Sequence, residues 1–315
     1  MYWFVALALL FLTVKGYCGK KTSMDVAHPD DPYLFTLVRM FFCIVISFIL
    51  LPFETGELAL GIDWGMAAIA LLGGLSNAAF LVGWMLAIQQ NTMLLVDVTL
   101  TIGSLLPSVL CAILFGEAIS LPKMIGFAII LAATALLAGG AKPASAKRSA
   151  GGIVLLIFAS AGEGLVSFSQ QLYKYFYTPG TDYFTGTAVS KSVYHFYTYL
   201  FTTLALAVIL AVRILARRRT GGEAASCGRS LWQKLRHPLP YIAVMAFCLF
   251  AASYCQTIAT GDFGMPAQIL YPVLKGGCLI TVNLYSAIFF GERITPRTVL
   301  GSLVALGGII VMNAL

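Results

Sequence analysis

Long apolar segments recur along the whole chain, and they limit the possible folds more than any other feature. A helix needs about 20 mostly apolar residues to cross a hydrocarbon core of about 30 Å. Ten segments qualify, at roughly 2–22, 33–52, 64–88, 92–114, 121–138, 152–172, 183–212, 239–259, 265–289 and 297–314. Unpaired backbone groups are too costly in lipid, and the apolar runs are continuous rather than alternating, so helices are favoured over a barrel. We therefore predict an all-α membrane protein with ten transmembrane helices.

The composition favours a lipid environment over a nucleic-acid partner. Apolar residues make up 59% of the chain and charged residues 10%, whereas a soluble domain averages about 25% charged residues. The net charge of +7 would suit nucleic acid, but the sequence lacks a basic groove with stacking aromatic residues. The partners we expect are the lipid bilayer and a small-molecule substrate, with no nucleic acid.

Two stretches of the chain are near-copies of each other. Residues 115–119 read Phe-Gly-Glu-Ala-Ile and precede an apolar segment with a glycine at Gly126. Residues 290–294 read Phe-Gly-Glu-Arg-Ile and precede one with a glycine at Gly301. A repeat at such long spacing indicates two copies of one unit and not a solenoid, whose periods are much shorter.

The repeat divides the chain into two five-helix units. We predict a first repeat over 1–140, a linker over 141–150 and a second repeat over 151–315. Because each unit has an odd number of spans, the second enters the membrane from the opposite side. This is the inverted-topology repeat of many secondary transporters.

The basic residues predict the orientation of the chain. Fourteen of them fall in or beside the loops after spans 1, 3, 5, 7 and 9, against only Lys123 and Lys174 on the opposite side. The fourteen are Lys20, Lys21, Lys142, Lys147, Arg148, Arg213, Arg217, Arg218, Arg219, Arg229, Lys234, Arg236, Arg293 and Arg297. Basic loops stay in the cytoplasm. We therefore expect a multi-pass protein of the cell (inner) membrane with both termini outside.

Six charged residues fall inside the predicted spans, where charges are expensive. A charge at mid-bilayer costs about 2.5–3.5 kcal/mol on insertion scales and usually faces a cavity or a partner. These residues are therefore the first candidates for substrate contact. They are Lys15, Arg39, Asp97, Glu163, Lys191 and Lys275.

The repeat relates some of these charges to each other. Lys15 and Glu163 each precede a glycine at matching places in spans 1 and 6, so we expect them to pair or to share a substrate. A salt bridge that only joins the two halves is the alternative. Arg39 and Lys191 each lie about two turns inside spans 2 and 7, where snorkelling to the interface competes with substrate contact.

Lys275 is the strongest single candidate for substrate contact. It lies in the middle of a span, after Pro272 and before two glycines, and the repeat places the uncharged Leu100 at the equivalent position. Proline and glycine free backbone groups that can line a cavity. Asp97 either neutralises a lysine or carries a proton, and the sequence does not choose between these roles.

Polar and aromatic residues accompany the charges in the same spans. Tyr194 and Tyr271 are the candidates for substrate contact among them, since hydrogen-bonding groups among apolar walls suit a polar metabolite. Interfacial tyrosine belts and hydrogen bonds between helices explain such residues equally well. Glu117 and Glu292 lie on hairpins just before spans, where we expect them to cap helices.

Enzyme motifs are missing from the sequence, which contains neither an HExxH nor a GxSxG pattern. Its seven cysteines are scattered, mostly within apolar runs, with no spacing typical of zinc sites or disulfide frameworks. We expect no catalytic residue, no metal site and no cofactor.

The ten spans, the two five-span units and the Gly-Glu hairpins at 116–117 and 291–292 resemble the drug/metabolite transporter superfamily, in particular its EamA-like branch. The resemblance covers nearly the whole chain, and the arginine early in the family's second span matches Arg39. Span 1 is also similar to the first helix of small multidrug resistance proteins, but Thr13 stands where those have an essential glutamate. Plant triose-phosphate translocators are similar in architecture. Members of the family often place both termini inside the cell, opposite to the orientation that the basic residues predict.

These features together predict a secondary active transporter that works by alternating access. We expect a small polar metabolite, anionic or zwitterionic, because the interior charges sum to +2 from four basic and two acidic residues. A coupling proton or a counter-substrate is a further possible partner. The alternatives are an exporter of amino acids or drugs and a membrane scaffold or sensor that transports nothing.

The predicted orientation can be tested with a reporter fused to the C-terminus. Alkaline phosphatase is active only outside the cytoplasm, so the excess of basic residues in one set of loops predicts an active fusion. An inactive phosphatase fusion together with a fluorescent cytoplasmic reporter would contradict this orientation.

Overall fold

The protein folds as a bundle of α-helices. The structure, a computed structural model, describes residues 2–26, 28–56, 60–90, 96, 99–100, 103–117, 120–140, 150–219, 234–291 and 295–313. Within these residues there are ten long helices and no strand. They are α1 (Tyr2–Met24), α2 (Asp31–Thr55), α3 (Trp64–Gln90), α4 (Leu105–Phe115), α5 (Leu121–Gly140), α6 (Ala150–Tyr177), α7 (Lys191–Arg219), α8 (Leu239–Gly261), α9 (Ala267–Phe290) and α10 (Pro296–Asn313).

Six of these helices are long and apolar enough to cross a membrane: α1, α2, α3, α7, α8 and α9. The prediction of an all-helical protein with membrane-type helices is confirmed. One predicted span differs from the helix observed, because 183–212 is helical only from Lys191. Within the predicted span 92–114, residues 96, 99–100 and 103 are helical, Leu105–Phe115 is α4, and 92–95, 97–98 and 101–102 lie outside the described residues. The linker 141–149 lies outside the described residues.

The later start of α7 has a simple physical cause. Gly180 and Gly186 have φ values of 91° and 87°, which belong to the left-handed region that glycine adopts at little cost. These two glycines keep the chain out of a helix before Lys191. The aromatic residues around 183–184 lengthen the apolar run in the sequence. The turn was therefore predicted as part of the span.

The near-copies in the sequence end their helices in the same way. Gly116 after α4 has φ 65° and ψ 23°, and Gly291 after α9 has φ 63° and ψ 21°. Both glycines adopt the left-handed conformation that commonly ends a helix. The glycines of the two near-copies therefore share a backbone conformation as well as a place in the sequence.

Helices from the first and second halves of the chain pack against each other. The most extensive contacts are those of α3 with α6, α5 with α10, α1 with α8, and α2 and α3 with α7. Smaller contacts join α2 to α8, α4 to α6 and α1 to α9. The two halves thus interleave, and the bundle core is built from both.

Small residues allow α3 and α6 to approach closely. A Cβ atom on Gly162 of α6 would lie 2.8 Å from the backbone nitrogen of Phe80 and 2.9 Å from the carbonyl oxygen of Ser76 on α3. A Cβ atom on Gly83 would lie 2.9 Å from the Cβ of Ala159. Small residues at helix contacts let backbones pack tightly where lipid supplies no hydrophobic driving force.

Polar contacts gather the hairpins after α2 and α8 at one end of the bundle. The Glu54 carboxylate at the end of α2 accepts hydrogen bonds from the backbone N–H groups of Lys191 (3.0 Å) and Ser192 (2.9 Å), and so caps α7. Lys191 Nζ lies 3.0 Å from Asp262 Oδ1 after α8. These contacts tie three helices together.

Different contacts connect the chain at the opposite end. Arg213 near the end of α7 donates to Asp30 Oδ1 at 3.1 Å, before α2 begins. Lys21 near the end of α1 lies over the ring of Phe290 at the end of α9, 5.6 Å from its centroid. The turns on either side of each helix therefore belong to opposite ends of the bundle.

The close approach of α3 and α6 leads to a stability prediction. Gly162→Ala places a methyl group against backbone atoms that cannot move cheaply, so we expect a loss of about 1–3 kcal/mol and a lower thermal unfolding midpoint. Gly307→Ala in α10 is the matched control, because nothing lies within 4 Å of its Cβ position and alanine favours helix. A midpoint unchanged by Gly162→Ala would contradict the packing described.

Candidate functional site

Two adjoining cavities lie among the helices. The larger has a cavity volume of about 50 Å³ and the smaller of about 20 Å³, so in this conformation both are narrow. Four residues line both cavities: Leu12 and Lys15 of α1, Phe80 of α3 and Glu163 of α6. Two of these four are charged, so both cavities have an ionic wall in common.

Lys15 is a buried cation in the wall of both cavities. It is 8% exposed. Its Nζ atom lies 5.4 Å from the ring centroid of Phe80 and 5.3 Å from that of Trp84. Both aromatic rings come from α3 and attract the ammonium group through their electron-rich faces. The rings hold the side chain in place and leave its charge unneutralised.

Glu163 forms its ion pair with Lys275, which lies in the wall of the smaller cavity. Only one carboxylate oxygen takes part, and the other is buried without a hydrogen-bond partner among the described residues. We had expected Glu163 to pair with Lys15 or to share a substrate with it. The expected ion pair between Glu163 and Lys15 is wrong, because α9 brings Lys275 closer to Glu163 than α1 brings Lys15.

Among the basic residues that the structure describes, Arg39 is the most deeply buried. Its side chain is 0% exposed, and its Cζ atom lies 5.7 Å from the ring centroid of Trp84. None of its three guanidinium nitrogen atoms has a hydrogen-bond partner in the part of the chain that the structure describes. Snorkelling to the interface is therefore wrong for Arg39, because the guanidinium group is enclosed by protein.

These four charges lie in the middle parts of their helices. Lys15, Glu163, Lys275 and Arg39 each fall within about 6 Å of the midpoint of their helices, at 1.5 Å per residue. Their helices come from both halves of the chain. We call these four described residues the charged layer: Lys15, Glu163 and Lys275 line the cavities, and Arg39 lies against Trp84 in the wall of the smaller one.

Uncharged polar and aromatic side chains form most of the larger cavity. Tyr194 lines it, stacks on Tyr173 with ring centroids 4.7 Å apart, and shares a 2.8 Å hydrogen bond with Ser169. His195 also lines it, with Nε2 3.1 Å from Thr257 Oγ1. The wall is completed by Asn77, Gln170, Ser253 and Gln256 among others.

Tyr271 lies outside both cavity walls. Its hydroxyl donates to the carbonyl oxygen of Ser167 (2.8 Å) and accepts from Gln171 Nε2 (3.1 Å). These bonds join α9 to α6 and use both the donor and an acceptor site of the hydroxyl. In this conformation Tyr271 stabilises a helix contact and lines neither of the two cavities.

Lys191 lies at the end of the bundle, away from the cavities. The prediction that it lies two turns inside a span is wrong, because α7 begins at this residue. Its ammonium group contacts Asp262 at 3.0 Å and Glu54 at 3.9 Å. Lys191 therefore joins helix ends, whereas Arg39 lies within the charged layer.

Glu117 also differs from its predicted role as a helix cap. Its carboxylate accepts a hydrogen bond from the Tyr175 hydroxyl and lies 3.8 Å from Lys174 Nζ, both at the end of α6. Its backbone carbonyl oxygen accepts from Gln268 Nε2 at 3.1 Å. Glu117 thus links the hairpin after α4 to α6 and α9. Asp97 and Glu292 lie outside the described residues.

Trp84 is a member of the site whose role the sequence left open, since an aromatic residue in an apolar span is either a cavity wall or helix packing. It lines the smaller cavity, and both Lys15 and Arg39 lie against its ring, while Gly19 of α1 packs close to its indole edge. Its place beside two cations depends on how α1, α2 and α3 meet.

Comparisons with known proteins show the fold and leave the activity open. No protein-family model matches the sequence, and no curated protein is significantly similar to it. Among solved structures, the chain is similar to a protein crystal structure with a TM-score of 0.68 and 14% sequence identity. The similarity covers 98% of this chain and 97% of the other.

The ion pair makes a prediction about stability. Lys275→Met leaves Glu163 as an unpaired buried charge, which costs about 3 kcal/mol, so the thermal unfolding midpoint should fall. Adding Glu163→Gln removes the unpaired charge, and the double variant should be more stable than Lys275→Met alone. Additive losses in the double variant would show that the two side chains do not interact.

Proposed function

We propose that the chain is a secondary active transporter that moves a small anionic or zwitterionic metabolite across a membrane by alternating access. The observation that carries the proposal is the meeting of two cavities at Lys15 and Glu163, near the midpoints of their helices. Substrate sites of such transporters lie near the bilayer midplane, between repeats. A charge that is costly in the membrane interior usually faces a substrate pathway.

The proposal includes ten membrane-spanning helices in two inverted repeats. Exchanging α1–α5 with α6–α10 turns the contact of α1 with α8 into that of α6 with α3, and the contact of α4 with α6 into that of α9 with α1. The contacts of α2 with α7 and of α5 with α10 map onto themselves. These matches support a twofold relation between the halves, as do the left-handed glycines that end α4 and α9.

Membership of the drug/metabolite transporter superfamily, in its EamA-like branch, is part of the proposal. The repeated Gly-Glu hairpins and Arg39 support it. With positive loops in the cytoplasm, the protein would lie in the cell membrane with both termini outside. The hairpins after α2, α4 and α8 would then face outward.

The charges in the cavity walls support an anionic or zwitterionic substrate. Glu163 and Lys275 neutralise each other, while Lys15 keeps its positive charge in the walls of both cavities. A substrate carboxylate or phosphate would compensate Lys15. The amides and hydroxyls of the larger cavity would bind the uncharged part of the molecule.

Alternating access requires contacts that open and close. In the conformation described, Glu54, Lys191 and Asp262 tie α2, α7 and α8 at one end of the bundle. Glu117 and Tyr175 tie the hairpin after α4 to α6. We propose that these ties break when the cavities open towards that end, because both halves contribute to each tie.

Transport can be tested with purified protein in two steps. A thermal-shift screen of small organic anions, zwitterions and cations should give stabilising ligands only among the first two classes. The ligands found should then enter proteoliposomes in a saturable way. We expect Lys15→Met to reduce uptake at least about ten-fold, because a charge-assisted contact of about 1.5–3 kcal/mol is lost.

Lys21→Met is the matched control, since it removes a lysine from the same helix outside both cavity walls. Its uptake should equal that of the wild type. Stabilisation by organic cations alone would overturn the charge argument. Binding without uptake would favour a membrane sensor or scaffold instead.

A further inference from the structure

His195 is a buried histidine in the wall of the larger cavity. It lies four residues after the start of α7, about 6 Å along the helix. Gln256 lines the same cavity and lies five residues before the end of α8. Lys15, also in this wall, lies near the midpoint of α1. The larger cavity therefore runs from the charged layer towards the end of the bundle where α7 begins.

Thr257 determines which nitrogen atom of the His195 ring carries the proton. Nε2 of His195 lies 3.1 Å from Thr257 Oγ1. The Thr257 hydroxyl has one hydrogen atom, and it donates this atom to the carbonyl oxygen of Ser253 in its own helix, at 3.0 Å. Thr257 Oγ1 therefore accepts at its other contact, so the proton of the imidazole is on Nε2. The lone pair of the neutral ring is then at Nδ1.

Nδ1 of His195 is left as a hydrogen-bond acceptor. In the ranges that the structure describes, the side chain of His195 makes one hydrogen bond, the one to Thr257. Tyr199 and Phe250 contact the imidazole through their rings, with centroids 5.8 Å away in each case. These contacts hold the ring in place and donate nothing to Nδ1. Because His195 lines the larger cavity, a group in that cavity is the partner left for Nδ1.

The polarity of His195 does not adapt to what is bound. The amide of Gln256 and the hydroxyl of Ser253, in the same wall, can each donate or accept a hydrogen bond. The imidazole is held in one tautomer, so Nδ1 can only accept. A buried acceptor of fixed polarity discriminates between ligands, because a ligand without a donor at this place leaves it unpaired.

In the conformation described, the space beside His195 has the size of a few water molecules. The larger cavity has a volume of about 50 Å³, and a buried water needs about 10–15 Å³ of such volume. About three waters therefore fit between His195 and Lys15. A larger ligand requires the cavity to widen towards the end where α7 begins, as alternating access would do.

We propose that His195 is a specificity-determining residue whose Nδ1 accepts a hydrogen bond from the ligand, and that Thr257 is the positioning residue that keeps this acceptor available. The ligand is an acid whose negative charge binds at Lys15 and whose far end carries a hydroxyl or amino group for His195. Water donates to Nδ1 while the cavity is closed. The inference rests on the proposed function, because the ligand enters only when the cavity opens.

The tautomer of His195 can be measured without a ligand. The chain has three histidines, so ¹⁵N-histidine labelling of the full chain in lipid bilayers gives few signals, and those of His195 are absent from His195→Gln. At pH 8 an ordinary imidazole, with a pKa of about 6.5, is neutral. We expect solid-state NMR to show a proton on Nε2 and none on Nδ1. A proton on Nδ1, or on both nitrogen atoms, would overturn the inference.

Two variants of Thr257 test whether this residue fixes the tautomer. Thr257→Val has nearly the same shape but removes the acceptor of the Nε2 proton, so we expect a signal from protonated Nδ1 to appear. Thr257→Ser keeps the hydroxyl and should retain the single tautomer of the wild type. A tautomer unchanged by Thr257→Val would overturn the positioning role, because a residue that only fills space would leave it unchanged.

A matched series of four-carbon acids tests the ligand class by calorimetry on the full chain in lipid nanodiscs. Butyrate, 4-hydroxybutyrate and 4-aminobutyrate share a carboxylate and differ in the far end, which is a methyl, a hydroxyl or an ammonium group. We expect at least one donor-bearing acid to bind about ten-fold or more tightly than butyrate. The acid that responds distinguishes a hydroxyl from an amino donor. Equal affinities, tighter binding of butyrate, or no binding of the series would overturn the ligand class.

The same variants connect this preference to His195. His195→Phe keeps an aromatic ring without Nδ1 and should abolish the preference for a donor. Thr257→Val should reduce it, and Thr257→Ser should retain it. A preference that survives His195→Phe overturns the role of His195. Where His195→Phe fails to fold, the two Thr257 variants and the tautomer measurement still decide.

Failure of this inference can be told apart from failure of the proposed function. Saturable uptake of an anion or zwitterion into proteoliposomes, with the proton of His195 on Nδ1, keeps the transporter and removes the fixed acceptor. A proton on Nε2 and a preference for donor-bearing acids, without uptake of any of them, keeps the site and removes transport.

Discussion

The cost of burying charge is the constraint on which the rest of this structure depends. Moving an ion from water into an apolar interior is expensive unless a partner or water compensates it. The bundle nevertheless holds Lys15, Arg39, Glu163 and Lys275 near the middle of its helices. Only one pair among them is neutral. Cavities lie beside Lys15 and Glu163. They leave room for water or for a ligand that would compensate the unpaired charge.

Close helix packing accompanies this charged layer. Gly162 and Gly83 let α3 and α6 approach until backbone atoms nearly touch. On α3, Phe80 and Trp84 lie beside Lys15 of α1, where their rings replace part of the lost hydration. One helix of the closely packed pair thus supplies the rings that contact Lys15, and the other supplies Glu163.

The sequence predicted the helices and most of the charged layer, but not the pairing within it. The length of the apolar segments predicted the helices. The cost of placing a charge inside the membrane singled out Lys15, Arg39, Glu163 and Lys275. Glu163 pairs with Lys275 and not with Lys15 because of the distances between three helices. The spacing of residues along the sequence does not determine these distances. Lys191 was misplaced because hydropathy alone cannot register the left-handed glycines before α7. The sequence could not choose between cavity wall and packing for Trp84, because its contacts exist only where α1, α2 and α3 meet.

The two halves share a frame but differ in charge, and this difference bears on selectivity. Under the proposed exchange of repeats, Lys15 of α1 takes the place of Glu163 of α6, and Leu100 that of Lys275. Leu100 and Lys275 both line the smaller cavity, so equivalent positions face the same space with different chemistry. A symmetric layer would place like charges opposite each other and would repel ions of that sign. Under the proposed function, the repeat would provide the helices that move, and the difference between Lys15 and Glu163 would let a cation and a carboxylate face the same space.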